Sequence, residues 1–253
     1  MDITTIGGLI LGIGAVLFSF FMEGGHISAI IRIPAMIIVI FGAIGATIIT
    51  TSFDSIKSFP KLIKIAFFPE KQNAPEIIKQ IVNMARSARR DGILGLEPYL
   101  NEIKNPFYNR AVQLLIDGTE MTELRDLLEM ELDNITKRHK AGISLFQKLG
   151  GFSPTMGIIG TVLGLIHSLA NTDDAGKMAS SIASAFIATL WGVALANLVY
   201  LPIGDKLRRR HEEEIRLLNI ILEGVVSIQS GENPRIIKTK LLSFIEPENR
   251  KVR

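Results

Sequence analysis

Four stretches with no acid, lysine or arginine, at about 3–22, 33–53, 152–171 and 180–203, constrain this chain more than any other feature. A helix needs roughly 20 apolar residues to cross the hydrocarbon core of a bilayer, and each stretch meets that length. The chain of 253 residues is 47% hydrophobic with mean hydropathy +0.32, yet 21% of it is charged. Apolar spans joined to a polar domain account for that mixture. The N-terminal stretch has Asp2 where a signal peptide would carry basic residues, and no small-x-small cleavage site closes it, so it reads as a retained first span. There is no cysteine, hence no disulfide, which fits a membrane or cytoplasmic setting.

The charges set the topology. The connection 23–32 carries Glu23, His26 and Arg32, and the connection 171–179 carries Asp173, Asp174 and Lys177. Lys57, Lys61 and Lys64 follow the second span, while Lys206, Arg208, Arg209 and Arg210 follow the fourth. Lysine and arginine close to a span stay on the cytoplasmic side, so both termini and the 54–148 segment are expected inside. The chain is thus expected to be all-α, an integral membrane protein with four transmembrane helices and a helical cytoplasmic domain between the second and third spans. Its divisions are 1–53, two spans; 54–148, the cytoplasmic domain; 149–204, two spans; and 205–253, a cytoplasmic helical tail.

Inside the domain, 54–68 is basic, aromatic and amphipathic; it suits a helix lying on the membrane surface as well as a continuation of the second span broken at Pro60. Pro75 opens a helix that Gly92 stops, with Ile77, Ile78, Ile81, Val82 and Ala85 at helical spacing. Shorter helices are expected near 94–103 and 106–117. Thr122 begins a long helix whose buried face holds Leu124, Leu127, Leu128, Met130, Leu132 and Ile135, with no proline through Lys148. Another amphipathic helix follows Pro202, and a last one starts at Pro234.

The third and fourth spans carry small residues every four positions: Gly160, Gly164 and Ser168 in one, Ser184, Ala188, Gly192 and Ala196 in the other. Gly8 with Gly12, and Gly42 with Ala46, do the same in the first two. Such rows let helix backbones approach closely in lipid. Thr155, Thr161, Ser181, Thr189 and Asn197 place polar groups in the same two spans. Each can bond back to a carbonyl of its own helix; Thr161 and Thr189, well inside, could also supply oxygens to a partly dehydrated cation. His167, the titratable group of the spans, lies near an outer end and reads as an interface residue. Pro154 and Pro202, at the cytoplasmic ends of spans three and four, each remove a backbone donor and free a carbonyl, making a hinge or polar collar. What the spans lack is a carboxylate, the usual relay of an ion path; a partner must bring it.

These residues resemble the A subunit of the bacterial flagellar motor stator (the MotA/PomA type). The likeness covers essentially the whole chain and rests on the two-plus-two span layout, GGFSPTMGIIGTVLGLI at 150–166, the Pro202 junction, and ARRDGILGLE at 88–97. It implies a multi-pass protein of the cytoplasmic (inner) membrane, five A subunits around two copies of a single-span B subunit, and an ion-binding aspartate on B facing spans three and four. The transported cation is Na+ or H+, and no cofactor or metal is implied. A threonine at the position of Thr161 resembles sodium-type members; Thr189 is expected in both types. The resemblance also implies contact with a rotor switch-complex protein through Arg89 and Glu97, to which Arg86 and Arg90 add positive charge. The family prolines fall on Pro154 and Pro202.

The competing reading is a TolQ/ExbB-type energiser of envelope transport, whose three spans and different insert position fit less well. An enzyme is not expected, because there is no metal-ligand cluster, nucleophile–base pairing or phosphate loop, and His211–Glu214 reads as charge pairing with the neighbouring arginines. Nucleic acid is not expected as a partner either, since the basic clusters sit where the positive-inside rule accounts for them.

Overall fold

The computed structural model describes residues 2–68 and 73–247, and its regular elements are helices throughout. Two compact units form, one from 1–69 with 139–210, the other from 70–138 with 211–253.

The first unit begins with α1 (Ile3–Met22), capped by the Asp2 carboxylate accepting from the Thr4 and Thr5 N–H groups. After α2 (Ile27–Ile30), α3 (Ile33–Ile49) runs from Pro34 in its first turn and ends at Thr50. Two short helices follow, α4 (Phe53–Lys57) and α5 (Phe59–Phe67), with Pro60 in the first turn of α5. The 53–68 segment is therefore not a continuation of α3, because Thr50–Ser52 break the helix. Instead α5 packs inward through Leu62 and Ala66, against Gly142, Phe146 and Leu207. Phe59 stacks on Phe146 at 5.3 Å. Its other side leaves Lys61, Lys64 and Phe68 exposed.

The long helix expected from Thr122 starts one residue earlier and is unbroken: α9 (Met121–Leu169) runs straight past Pro154. The chain turns at 170–174, where Asp174 accepts from the Lys177 N–H and opens α10 (Ala175–Leu195). A π-helical turn, Ala196–Tyr200, then leads into α11 (Leu201–Gln229). Three helical stretches, Ile3–Met22, Met121–Leu169 and Ala175–Gln229, contain runs long and apolar enough to cross a membrane, and Ile33–Ile49 is a shorter apolar helix of 17 residues. Their large side chains face outward: Ile10, Leu11, Phe18, Phe41, Ile158, Ile166 and Phe186 are all exposed. Most buried positions of α3 and α10 are small, Ala35, Ala43, Ser181, Ala185, Ala188 and Gly192, with Val39 and Thr47 of α3 the bulkier ones. This inverts a water-soluble pattern, as expected where lipid surrounds the helices and close packing draws them together.

The second unit has an ordinary apolar core. Into it go α6 (Ala74–Asp91), a 3-10 turn (Ile93–Leu96), α7 (Glu97–Leu100), α8 (Pro106–Ile116), the first part of α9, the latter part of α11, and α12 (Pro234–Leu242). Ile78, Ile81, Met84, Leu96, Leu124, Leu128, Leu218 and Ile221 are fully buried there. Tyr108 donates its hydroxyl to the Met84 sulfur at 3.2 Å. At the edge, Glu223 accepts from Arg125 at 2.9 Å and pairs with Lys240 at 3.0 Å. Burial opposes its charge, but the hydrogen bonds from Arg125 and Lys240 outweigh it and hold the carboxyl below its ordinary range. A depressed carboxylate contributes stability above its unfolded pKa and loses it as pH falls through the folded one. Glu223→Gln is therefore expected to cost about 1 kcal/mol at neutral pH and nothing at the acid end. Thermal unfolding followed across a pH series checks this.

Candidate functional site

The α9–α10 seam is built from residues too small to hold the helices apart. A Cβ on Gly157 would lie 2.9 Å from the Ala188 carbonyl oxygen, and one on Gly192 would lie 2.8 Å from the Ser153 carbonyl oxygen. Gly160 and Gly164 meet Ala188 and Ala185 in the same way. Gly42 receives Met156, bringing α3 to α9, and Ala35 and Val39 pack against Ala188 on α10. The row on α9 is thus Ser153, Gly157, Gly160 and Gly164, facing Ser181, Ala185, Ala188 and Gly192 on α10. Strict four-residue spacing overlooks Gly157 and Ala185; the helix period of 3.6 recovers them, since a straight seam alternates steps of three and four. Gly8, by contrast, has nothing near it.

That approach brings the two threonines together. The Thr161 hydroxyl lies 2.5 Å from the Thr189 hydroxyl, 3.0 Å from the Gly157 carbonyl oxygen on its own helix, and 3.0 Å from the Ala185 carbonyl oxygen across the seam. Each hydroxyl has one proton. Thr161 can donate to one carbonyl while Thr189 donates to Thr161, so at most two of the three contacts carry a proton at once. Four oxygens, two hydroxyl and two carbonyl, converge with no charge among them. Such a cluster can exchange donors with a passing hydrated cation, or offer ligands to one that has shed water. Ser168 also donates across the seam, to the Met178 carbonyl oxygen at 3.3 Å, but three other polar residues of the pair behave differently. Thr155 donates to the Phe152 carbonyl oxygen at 2.7 Å, Ser181 to Lys177 at 2.9 Å and Asn197 to Val193 at 2.9 Å, each within its own stretch of helix. His167 is exposed near the end of α9.

The two prolines sit at one level. Pro154 leaves the Gly150 carbonyl without its α-helical donor, and Gly150 packs against Leu201, the residue before Pro202. At Pro202 the disruption is larger. The Leu201 N–H reaches back five residues to the Ala196 carbonyl oxygen, and Pro202 has no N–H. The carbonyls of Asn197 and Leu198 therefore lose the donors that a regular helix would give them. A π-turn beside a proline was not legible from the composition of the segment. The Trp191 indole N–H, on the last turns of α10, donates to the Ile30 carbonyl oxygen at 2.7 Å, fastening α10 to the connection ahead of α3.

The charged residues lie in the other unit, on and after the end of α6. Arg86, Arg89 and Arg90 are exposed in its last turns, where cations complement the helix dipole. Gly92 ends the helix at φ 79°, a left-handed conformation that favours glycine. Glu97 is the first, exposed residue of α7, which is tied to α6 by a 3.0 Å hydrogen bond between the Ser87 and Tyr99 hydroxyls. The four residues differ in availability. Arg90 folds onto Asp91 at 2.8 Å, and that hydrogen bond holds the Asp91 carboxyl below its usual range. Arg86 reaches Asn83 at 3.4 Å. Arg89 and Glu97 enter no ion pair among the described residues.

Comparison with known proteins accords with these features. Residues 6–92 match the motility protein A N-terminal family and residues 99–220 match the MotA/TolQ/ExbB proton channel family. Motility protein A of Borreliella burgdorferi is 34% identical over 250 residues, 99% of this chain and 96% of that protein. The structure of C. jejuni MotAB superposes with a TM-score of 0.92 at 32% identity, covering 98% of this chain and 97% of the matched one. The flagellar MotAB stator complex of Bacillus subtilis gives 0.91 at 32% identity, covering 98% of each. With near-complete coverage by these relatives and the matched segments on both sides of the charged loop, the chain belongs to the MotA/TolQ/ExbB proton channel family.

Proposed function

We propose that this chain is the A subunit of an ion-driven flagellar motor stator, embedded in the inner membrane and working with a single-span B subunit that supplies the ion-binding aspartate. The observation that carries the reading is the Thr161–Thr189 oxygen cluster between two carboxylate-free stretches, 152–171 and 180–203. It has the walls of a cation path and lacks its charge, and related structures are MotAB complexes. α1, α3, the apolar end of α9 and α10 are the four spans, with both termini cytoplasmic; α3, at 17 residues, rises about 25 Å and reaches across with the uncharged residues Thr50–Phe53 after it. Five copies surround two B chains, and ion binding on B shifts its contacts with the α9–α10 wall. Flexure at Pro154 and Pro202 lets the ring step. Arg89 and Glu97, with Arg86 and Arg90, engage the rotor switch-complex protein. The exposed Phe53, Lys57, Lys61, Lys64 and Phe68 rest on the inner membrane surface, where cations meet anionic lipid headgroups. The match to motility protein A over 6–92 supports this reading over an energiser of envelope transport.

The test is co-expression with a single-span partner, followed by purification, mass measurement and ion flux in vesicles. A complex with about five A chains to two B chains that conducts Na+ or H+ is expected, and an A chain that conducts alone would sink the assignment. For the ion, sodium is favoured. Thr161→Ala removes one of the two hydroxyls and is expected to abolish or shift the sodium dependence of swimming. Swimming that stays equally sodium-dependent in that variant would rule out a coordinating role for Thr161.

A further inference from the structure

One cluster lies outside the ion path and the charged loop. The Asp2 side chain is 9% exposed and both of its oxygens are engaged. Oδ2 lies 2.5 Å from Lys206 Nζ and 2.5 Å from Arg210 Nη2 on α11. Oδ1 accepts from the Thr4 hydroxyl at 2.6 Å and from the Thr4 and Thr5 N–H groups. Lys206 also donates to the Thr4 hydroxyl at 3.2 Å. The Asp2 N–H donates to the Phe67 carbonyl oxygen at 2.9 Å, binding the end of α5 to the same point. Lys206, with the Thr4 hydroxyl, holds the Asp2 carboxyl well below the usual carboxylate range.

The position of this cluster gives it meaning. Lys206 and Arg210 are one and two turns beyond Pro202, on one face of α11. Further along α1, a Cβ on Gly12 would come within 3.2 Å of Leu198 Cδ2, inside the π-turn itself. From Asp2 to Gly12 the helix rises about 15 Å, and from Leu198 to the midpoint of Lys206 and Arg210 also about 15 Å. The two stretches are therefore in register, and α1 bridges the irregular joint: it touches the joint at Leu198 and grips the helix beyond it through Asp2.

We infer that α1 is a splint across the Pro202 joint and that Asp2 is the positioning residue fastening it. The splint limits how far α11 swings when the joint flexes, so that a step at the α9–α10 wall is delivered to α11 rather than absorbed locally. This inference rests on the reading of Pro202 as a hinge.

The test uses the complex with its B partner and compares Asp2→Asn, Asp2→Glu and a triple variant, Asp2→Asn with Lys206→Met and Arg210→Met. In Asp2→Asn, amide hydrogen exchange across 197–206 is expected to quicken at least about ten-fold, the scale of a lost charge-assisted contact. Membrane level and B co-purification are expected to hold while swimming speed falls several-fold. Asp2→Glu keeps a carboxylate and is expected to retain most of the speed. The triple variant separates fastening from simple charge burial: it leaves no unpaired cation, so full recovery in it would overturn the inference, and continued fast exchange with slow swimming would uphold it. Unchanged exchange in Asp2→Asn would also overturn it. Quickened exchange with undiminished swimming would leave the fastening standing and refute the hinge.

Discussion

A Gly192→Val chain is expected to lose the α9–α10 seam and with it any ion-driven activity. The Cβ of valine would stand 2.8 Å from the Ser153 carbonyl oxygen and 3.1 Å from the Gly157 Cα. Both are backbone atoms, so no side-chain rotation relieves the clash and the helices must separate. Overpacking of a fitted interior costs about 1–3 kcal/mol, and here separation also pulls Thr189 from Thr161. Gly151 is the control: it lies one residue from the Gly150 contact, has nothing within 4 Å, and should accept alanine with little change. Thermal stability of the purified complex and its ion flux read the difference. Full activity in Gly192→Val would mean that the seam opens in the working state, contrary to its role as a fixed wall.

The second large effect is expected from reversing both free charges of the loop, Arg89→Glu with Glu97→Arg. Neither residue enters an ion pair among the described residues, so reversal removes no ion pair seen there and stability should stay within about 0.5 kcal/mol. Interfacial charges act on steering and register, so torque is expected to fall roughly ten-fold or more while the chain still inserts and binds its B partner. Reversing Arg90 should do less, because Asp91 already neutralises it. Torque on a tethered cell, with B co-purification as the assembly control, checks both. Undiminished torque in the double variant would remove Arg89 and Glu97 from the contact.

Helical character and the apolar stretches were legible because each follows from periodicity or hydropathy along one segment; Thr161 and Thr189 stood out as hydroxyls well inside two spans, but the contact between them depends on how the two helices pack. The α9–α10 seam was legible in kind but not in register. Gly160, Gly164 and Ser168 of the four-residue row do line the seam, Ser168 donating across it to the Met178 carbonyl oxygen, whereas Gly157 and Ala185 fall between the four-residue steps. The π-turn before Pro202 was hidden, since proline announces a lost donor but not whether the helix takes up an extra residue. Asp2 was hidden more completely. Near the start of the chain it read as the absence of a signal-peptide charge, and its partners are about two hundred positions away. Arg90 reads in the sequence as added positive charge beside Arg89, and only the fold of its side chain onto Asp91 shows that charge neutralised.

The hydrogen bond from Trp191 to Ile30 has a practical consequence. The chain contains one tryptophan, so its long-wavelength emission comes from a single ring lodged between α10 and the start of α3. Any event that slides α10 along α3 breaks or lengthens that bond and changes the polarity around the indole. Sodium addition, partner binding or a hinge variant can each be followed by the colour and anisotropy of that emission, in the unlabelled protein, on the time scale of the step itself.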